Sequence, residues 1–163
     1  MHYLYNEEIF SALKKLISKR QRLLLLAAFA VLAAILASLI LDDHKDHRPV
    51  LLTTLLVILG GGALIFLWDM TIKPLRSYAK HIDSALHGRS HETVAVFDRV
   101  GTEDSVIDGL TFRDLIFLGE ADKHGVREQL FYWDMEFPLP AFGKGQELRL
   151  TYSDRFLTGY EIL

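Results

Sequence analysis

The sequence contains no cysteine, which excludes disulfides and thiolate chemistry in any compartment. Charge is missing from two stretches of nineteen residues each, 23–41 and 50–68. An apolar run without an ionisable group gives an ion or proton no path through this chain alone. Catalytic motifs are missing too. Gly143-Lys144-Gly145 has neither the spacing of a phosphate-binding loop nor the Ser or Thr that should follow it. No Gly-x-Ser-x-Gly elbow occurs, so nothing supports a serine hydrolase. The carboxylates are plentiful but scattered, and no spacing singles out an acid/base pair. The chain therefore reads as a non-enzyme that needs no cofactor.

The distal half is short of positive charge relative to negative. Residues 89–163 carry eight Lys/Arg against fourteen Asp/Glu, a net −6, whereas residues 1–88 carry ten against seven, a net +3. A phosphate backbone needs clustered cations, so nucleic acid is not an expected partner of this domain. The basic membrane-proximal part suits anionic lipid.

The two uncharged runs are the strongest positive signal. Each is long enough, at 1.5 Å per residue, to cross a hydrocarbon core of about 30 Å. The link at 42–49, Asp-Asp-His-Lys-Asp-His-Arg-Pro, is too short and too charged to hold a domain. The expectation is a membrane α-helical hairpin, with spans 23–41 and 50–68. Lys14, Lys15, Lys19, Arg20 and Arg22 precede it, and Lys73, Arg76 and Lys80 follow it, against only Lys45 and Arg48 in the loop. That asymmetry puts both termini in the cytoplasm of an inner-membrane protein. His44 and His47 with Asp42, Asp43 and Asp46 have the makings of a metal site, but a flexible turn would hold them poorly, and no metal is assigned.

Asn6 followed by Glu7 and Glu8 reads as a helix N-cap with acids against the positive end of the dipole. Tyr5, Ile9, Leu13, Leu16 and Ile17 then form a stripe at helical spacing over residues 1–22. This segment either lies on the inner leaflet or extends the first span and packs on the C-terminal domain. Small residues, Ala30, Ala34 and Ser38 in the first span and Gly60, Gly61 and Gly62 in the second, are the expected helix-packing faces. They serve the hairpin itself or self-association with a second copy.

A connector helix is expected over 72–88, with Pro74 in its first turn and Gly88 at its end. Ile72-Lys73-Pro74-Leu75-Arg76, running on to Ile82, Leu86, His87 and Gly88, resembles the first helix of a HAMP linker, a module that carries signals out of bacterial membrane receptors. That resemblance covers about twenty residues and implies a signal-transmitting helix. His81, His87 and His91 with Asp83 bracket its end and read as ordinary solvated side chains.

From His91 the period changes from 3.6 to 2. Short β-branched and aromatic segments are divided by turn formers: Asp108-Gly109 signals a type I′ hairpin, Gly119 to Gly125 a polar loop, and Gly143-Lys144-Gly145 and Ser153-Asp154 two further turns. Five or six strands over 91–163 predict a small all-β C-terminal domain, a barrel of OB or SH3-like type. The layout, an OB-like tail on a short membrane anchor, resembles that of NfeD-type proteins in arrangement only. Phe131-Tyr132-Trp133 and the apolar loop 137–142 leave aromatic area for a partner, and Tyr132, Trp133, Phe137 and Phe142 are the candidate contacts. Alternation requires one of Tyr132 and Trp133 to be core. The expected function is a protein-interaction or accessory module of a membrane complex. A membrane-anchored ligand sensor signalling through the HAMP-like helix is the alternative.

Overall fold

A computed structural model describes residues 1–40, 48–122 and 125–163. The charged link at 42–47, with its histidines, lies outside the described residues. The chain divides into two units, Met1–Ser11 with Ser77–Leu163, and Ala12–Arg76.

The second unit is helical. Helix α1 runs Glu7–Ile40 and helix α2 runs Arg48–Thr71. Both are long and apolar enough to cross a membrane. Three contacts fix their register. Ser38 Oγ meets Thr53 Oγ1 at 2.8 Å, a Cβ on Gly60 would lie 2.7 Å from Val31 Cγ1, and Arg20 reaches the Thr71 carbonyl at 3.4 Å. As one residue number falls the other rises by the same amount, so the helices are antiparallel. From Gln21 onward the half-covered positions of α1 are Gln21, Leu24, Ala28, Val31 and Ile35, ending at buried Ser38. Their alternating spacing of three and four is the seam of a left-handed pair.

Ser38 and Gly60 sit on that seam. Ala30 and Ala34 are exposed, and a Cβ on Gly61 or Gly62 would meet nothing within 4 Å. Geometry explains the difference. An i, i+4 ladder turns about 40° around the helix at each step and suits a right-handed crossing, whereas this pair follows the alternating three-and-four period of a left-handed one, so Ala30 and Ala34 leave its seam. Large side chains facing away from the seam, among them Phe29, Leu36, Leu59 and Phe66, are more than half exposed.

Helix α3, Lys73–His87, follows α2 with scarcely a break. Ile72 N still donates to the Trp68 carbonyl, and Arg76 N to that of Ile72. Pro74 has no N–H to add to the ladder, which is where the two helices part. Gly88 closes α3: a Cβ there would fall 2.2 Å from the Ser84 carbonyl oxygen. The chain then enters a strand, where a HAMP module would continue into a second helix.

The first unit is built on a mixed sheet of strands β1 (His2–Tyr3), β2 (His91–Ile107), β3 (Leu110–Asp122), β4 (Gly125–Asp134), β5 (Glu147–Ser153) and β6 (Phe156–Ile162). The order is β1-β6-β4-β3-β2-β5, and β5 also pairs with β6. Neighbours are antiparallel except β4 and β6, which meet in parallel at Tyr132 and Phe156. Strand β2 carries bulges after Phe97 and Val100, pairing by its first residues with β5 and by the rest with β3. Asp108 and Gly109 have φ of 53° and 78°, the signs a type I′ turn requires. Two expectations need correction. The stretch expected as a polar loop from Gly119 is strand as far as Asp122 and again from Gly125, and β1, too short to show a period, was not foreseen.

Period-two alternation delivers the core. Ala95 and Phe97, Leu115 and Phe117, Phe131 and Trp133, and Leu148 and Leu150 point inward in pairs and meet Leu157.

Candidate functional site: a buried tyrosine–aspartate–histidine cluster

Strand β4 ends on Asp134, only 3% exposed. A carboxylate so placed needs donors around it. Three are supplied: Tyr5 Oη donates to Oδ2 at 2.9 Å, Tyr78 Oη to the same oxygen at 2.8 Å, and Glu136 N to Oδ1 at 3.0 Å. Tyr5 Oη also lies 2.9 Å from His81 Nε2. A phenol has one proton. With that proton directed at Asp134, the imidazole must carry its own on Nε2 and donate to Tyr5.

The four side chains come from three parts of the chain. Tyr5 precedes the Asn6 cap, whose Oδ1 accepts from Ile9 N at 2.8 Å and so fixes the start of α1. Tyr78 and His81 lie on consecutive turns of α3. The His81 ring is wedged against Phe112 and Phe156, with centroids 5.1 and 4.7 Å away, and Tyr5 meets it edge-on at 5.5 Å. Ile82 beside it is fully buried.

This environment sets the protonation states. Burial, reinforced by the Asp134 charge, pushes the Tyr5 phenol far above its usual range. Burial and the hydrogen bond to Asp134 do the same to Tyr78. Burial lowers the His81 pKa, and Asp134 only partly opposes it. The resting cluster is one neutral imidazole and two neutral phenols around a carboxylate. Such an array can hold three segments together and respond to protons. It offers no exposed nucleophile.

Of the candidate partner residues, Trp133 is core, and Tyr132, Phe137 and Phe142 are half-buried. Trp133 is 2% exposed, and its Nε1 donates to the Phe137 carbonyl at 3.1 Å. It is the core member of its pair, because Phe131 and Trp133 share the inward parity. Tyr132, on the other face, packs on Phe112 and Phe156. Phe137 sits edge-on to Tyr5, and Phe142 touches Phe97, Trp133 and Tyr160. The loop 137–142 thus folds back over the core, its two rings half-covered, and the buried indole N–H finds its acceptor at Phe137.

His87 faces Glu7 and Asp83, each at 3.2 Å, and the His91 ring lies tilted against Tyr152. Neither joins His81. No group of three or more metal-ligating side chains converges among the described residues. Sequence reading missed the cluster itself. Tyr5 reads as part of an apolar stripe, although a phenol on a buried stripe asks for a polar partner, and Asp134 among aromatics is the partner to look for.

No protein-family model, no curated protein and no solved structure matches this chain.

Proposed function

We propose that this chain is a non-enzymatic two-pass protein of the cell's inner membrane, both termini cytoplasmic, whose C-terminal domain is an accessory or interaction module of a membrane complex. Residues 23–41 and 50–68 would span the bilayer, with the eight-to-two basic asymmetry setting the orientation. The domain would be a five-stranded barrel of OB type. The pairings β2–β3, β3–β4, β4–β6, β6–β5 and β5–β2 support this by returning to their start, with a single parallel contact at the point where such a barrel is partly open.

The observation that carries the reading is the convergence on Asp134. The segment leading into α1 and the helix leaving α2 both fasten to one carboxylate of the β domain. A passive tether would need no such fastening, whereas a platform that presents a partner at a membrane would. The acidic domain, net −6, points to a protein partner over nucleic acid. A second reading, a ligand sensor, is favoured by Tyr78 and His81 on α3, since a change at the sheet could reach the spans through that helix.

Crosslinking in native membranes followed by co-purification tests the leading reading. A partner protein captured through the domain supports it, and a chain recovered only with lipid sinks it. Single cysteines at His44 and Gly125 test the orientation with an impermeant thiol reagent on intact cells: label is expected at 44 with protection at 125, and the reverse pattern overturns the topology.

A further inference from the structure

The outward face of α1 carries a chemistry that the hairpin does not use. Lys14, Lys15, Ser18, Lys19 and Arg22 line a groove of about 490 Å³ that ends on Leu23 and Leu26. At 100° per residue, Lys15, Lys19, Arg22 and Leu26 fall within an arc of about 60°, opposite the seam that meets α2. Other cations at this level are engaged. Arg20 reaches the Thr71 carbonyl, Lys73 pairs with Asp69 at 3.4 Å, and Arg76 lies 4.9 Å over the Trp68 ring. Lys15, Lys19 and Arg22 have no counter-charge among the described residues. Below them the same face continues through Phe29, 72% exposed, into exposed Ala30, Ala33 and Ala37. It is cationic at the start of the apolar run and, beyond exposed Leu26 and Phe29, is lined by small side chains.

We infer that this face binds an anionic glycerophospholipid, its phosphate among Lys15, Lys19 and Arg22 and an acyl chain along Ala30, Ala33 and Ala37. The inference rests on membrane insertion of α1. Charge complementarity selects the occupant. A second copy inserted the same way and laid on this face would bring two sets of three unneutralised cations together. A lipid phosphate neutralises them, and the small side chains leave its acyl chain room without competing polar groups.

The full chain, reconstituted into nanodiscs of equal phosphatidylglycerol and phosphatidylcholine, is the test, with retained lipid read by native mass spectrometry. Each engaged cation is worth on the order of fivefold toward an anionic surface. The wild type should therefore retain phosphatidylglycerol over phosphatidylcholine by more than about tenfold. K15Q/K19Q/R22Q should lose most of that preference, and R20Q should keep it. No preference in the wild type, equal preference in the triple variant, or equal loss in R20Q overturns the site. A dimer crosslinked through a cysteine at Ala33 would assign the face to a second copy and overturn it too. Alkaline carbonate extraction separates the two levels. A chain that stays in the membrane without lipid preference refutes this inference alone, whereas a chain released by carbonate refutes membrane insertion and the inference together.

Discussion

Replacing Tyr5 by Phe removes one oxygen from the most connected point of the β domain. The ring is 5% exposed and should stay in place against His81 and Phe137. What disappears is a hydrogen bond to a buried carboxylate, about 1.5–3 kcal/mol for a charged acceptor. Asp134 keeps Tyr78 and Glu136 N, so it is not stripped. His81 Nε2 loses its acceptor, which adds about 1 kcal/mol for a half-buried donor. The sum is roughly 2–4 kcal/mol, a shift on the order of 10–20 °C for a domain near 100 residues. Tyr152→Phe is the control. Its hydroxyl has no hydrogen bond among the described residues, and its loss should stay within about 0.5 kcal/mol. Tyr78→Phe should cost less than Tyr5→Phe. Combined, the two should exceed their sum, because both donate to Oδ2 and the last one to go leaves that oxygen bare. Urea unfolding of the full chain in detergent, followed by Trp133 fluorescence in a Trp68→Phe background, gives the numbers. Stability unchanged in Tyr5→Phe, or strict additivity with Tyr78→Phe, refutes the cluster as drawn.

The same groups predict the pH response. Burial depresses the folded His81 pKa, so the unfolded chain binds the proton first. Stability is then complete above the ordinary histidine value of about 6.5 and falls as pH drops below it. His81→Gln, which keeps a donor near Tyr5, should flatten that dependence, and an unchanged acid limb would show that other groups cause it. Raised phenols act oppositely: stability should decline above about pH 10, where unfolded tyrosine ionises. Gly109→Val should cost roughly 1–3 kcal/mol, since φ of 78° suits no β-branched residue; an equally stable variant would discredit the type I′ turn. In the hairpin, Ser38→Cys with Thr53→Cys should form a disulfide readily. Adding Gly60→Leu should suppress it by driving a side chain into Val31, whereas Gly61→Leu should not, and equal effects would reject the register.

Legibility followed the range of the interactions. The two apolar runs, the Asn6 cap, the Gly88 stop and the Asp108-Gly109 turn depend on neighbours within a few residues, and all were readable. Strand parity also needs only local alternation, which is why Phe131 and Trp133 were placed on one face without knowing what they touched. The order of strands is different. Nothing local to Phe156 says that it meets Tyr132 in parallel, or that β5 returns to β6.

The seam inside the hairpin was legible only at Ser38 and Gly60, for a geometric reason. Residue smallness marks where helices may approach, whereas the period of contact decides where they do, and Gln21-Leu24-Ala28-Val31-Ile35-Ser38 wins by period with only two small members. The cluster at Asp134 combines both difficulties. Its members are separated by as many as 129 positions, and two of them scan as hydrophobic. A long-range buried polar contact leaves only an unmet requirement in the sequence: a phenol or carboxylate placed where water cannot reach. Asp134 among aromatics and tyrosines on apolar stripes are complementary, since each needs a buried hydrogen-bonding partner. Pairing buried donors with buried acceptors is thus a constraint on tertiary structure that periodicity alone does not supply. In this chain it selects a point where the segment before the first helix, the third helix and the sheet meet.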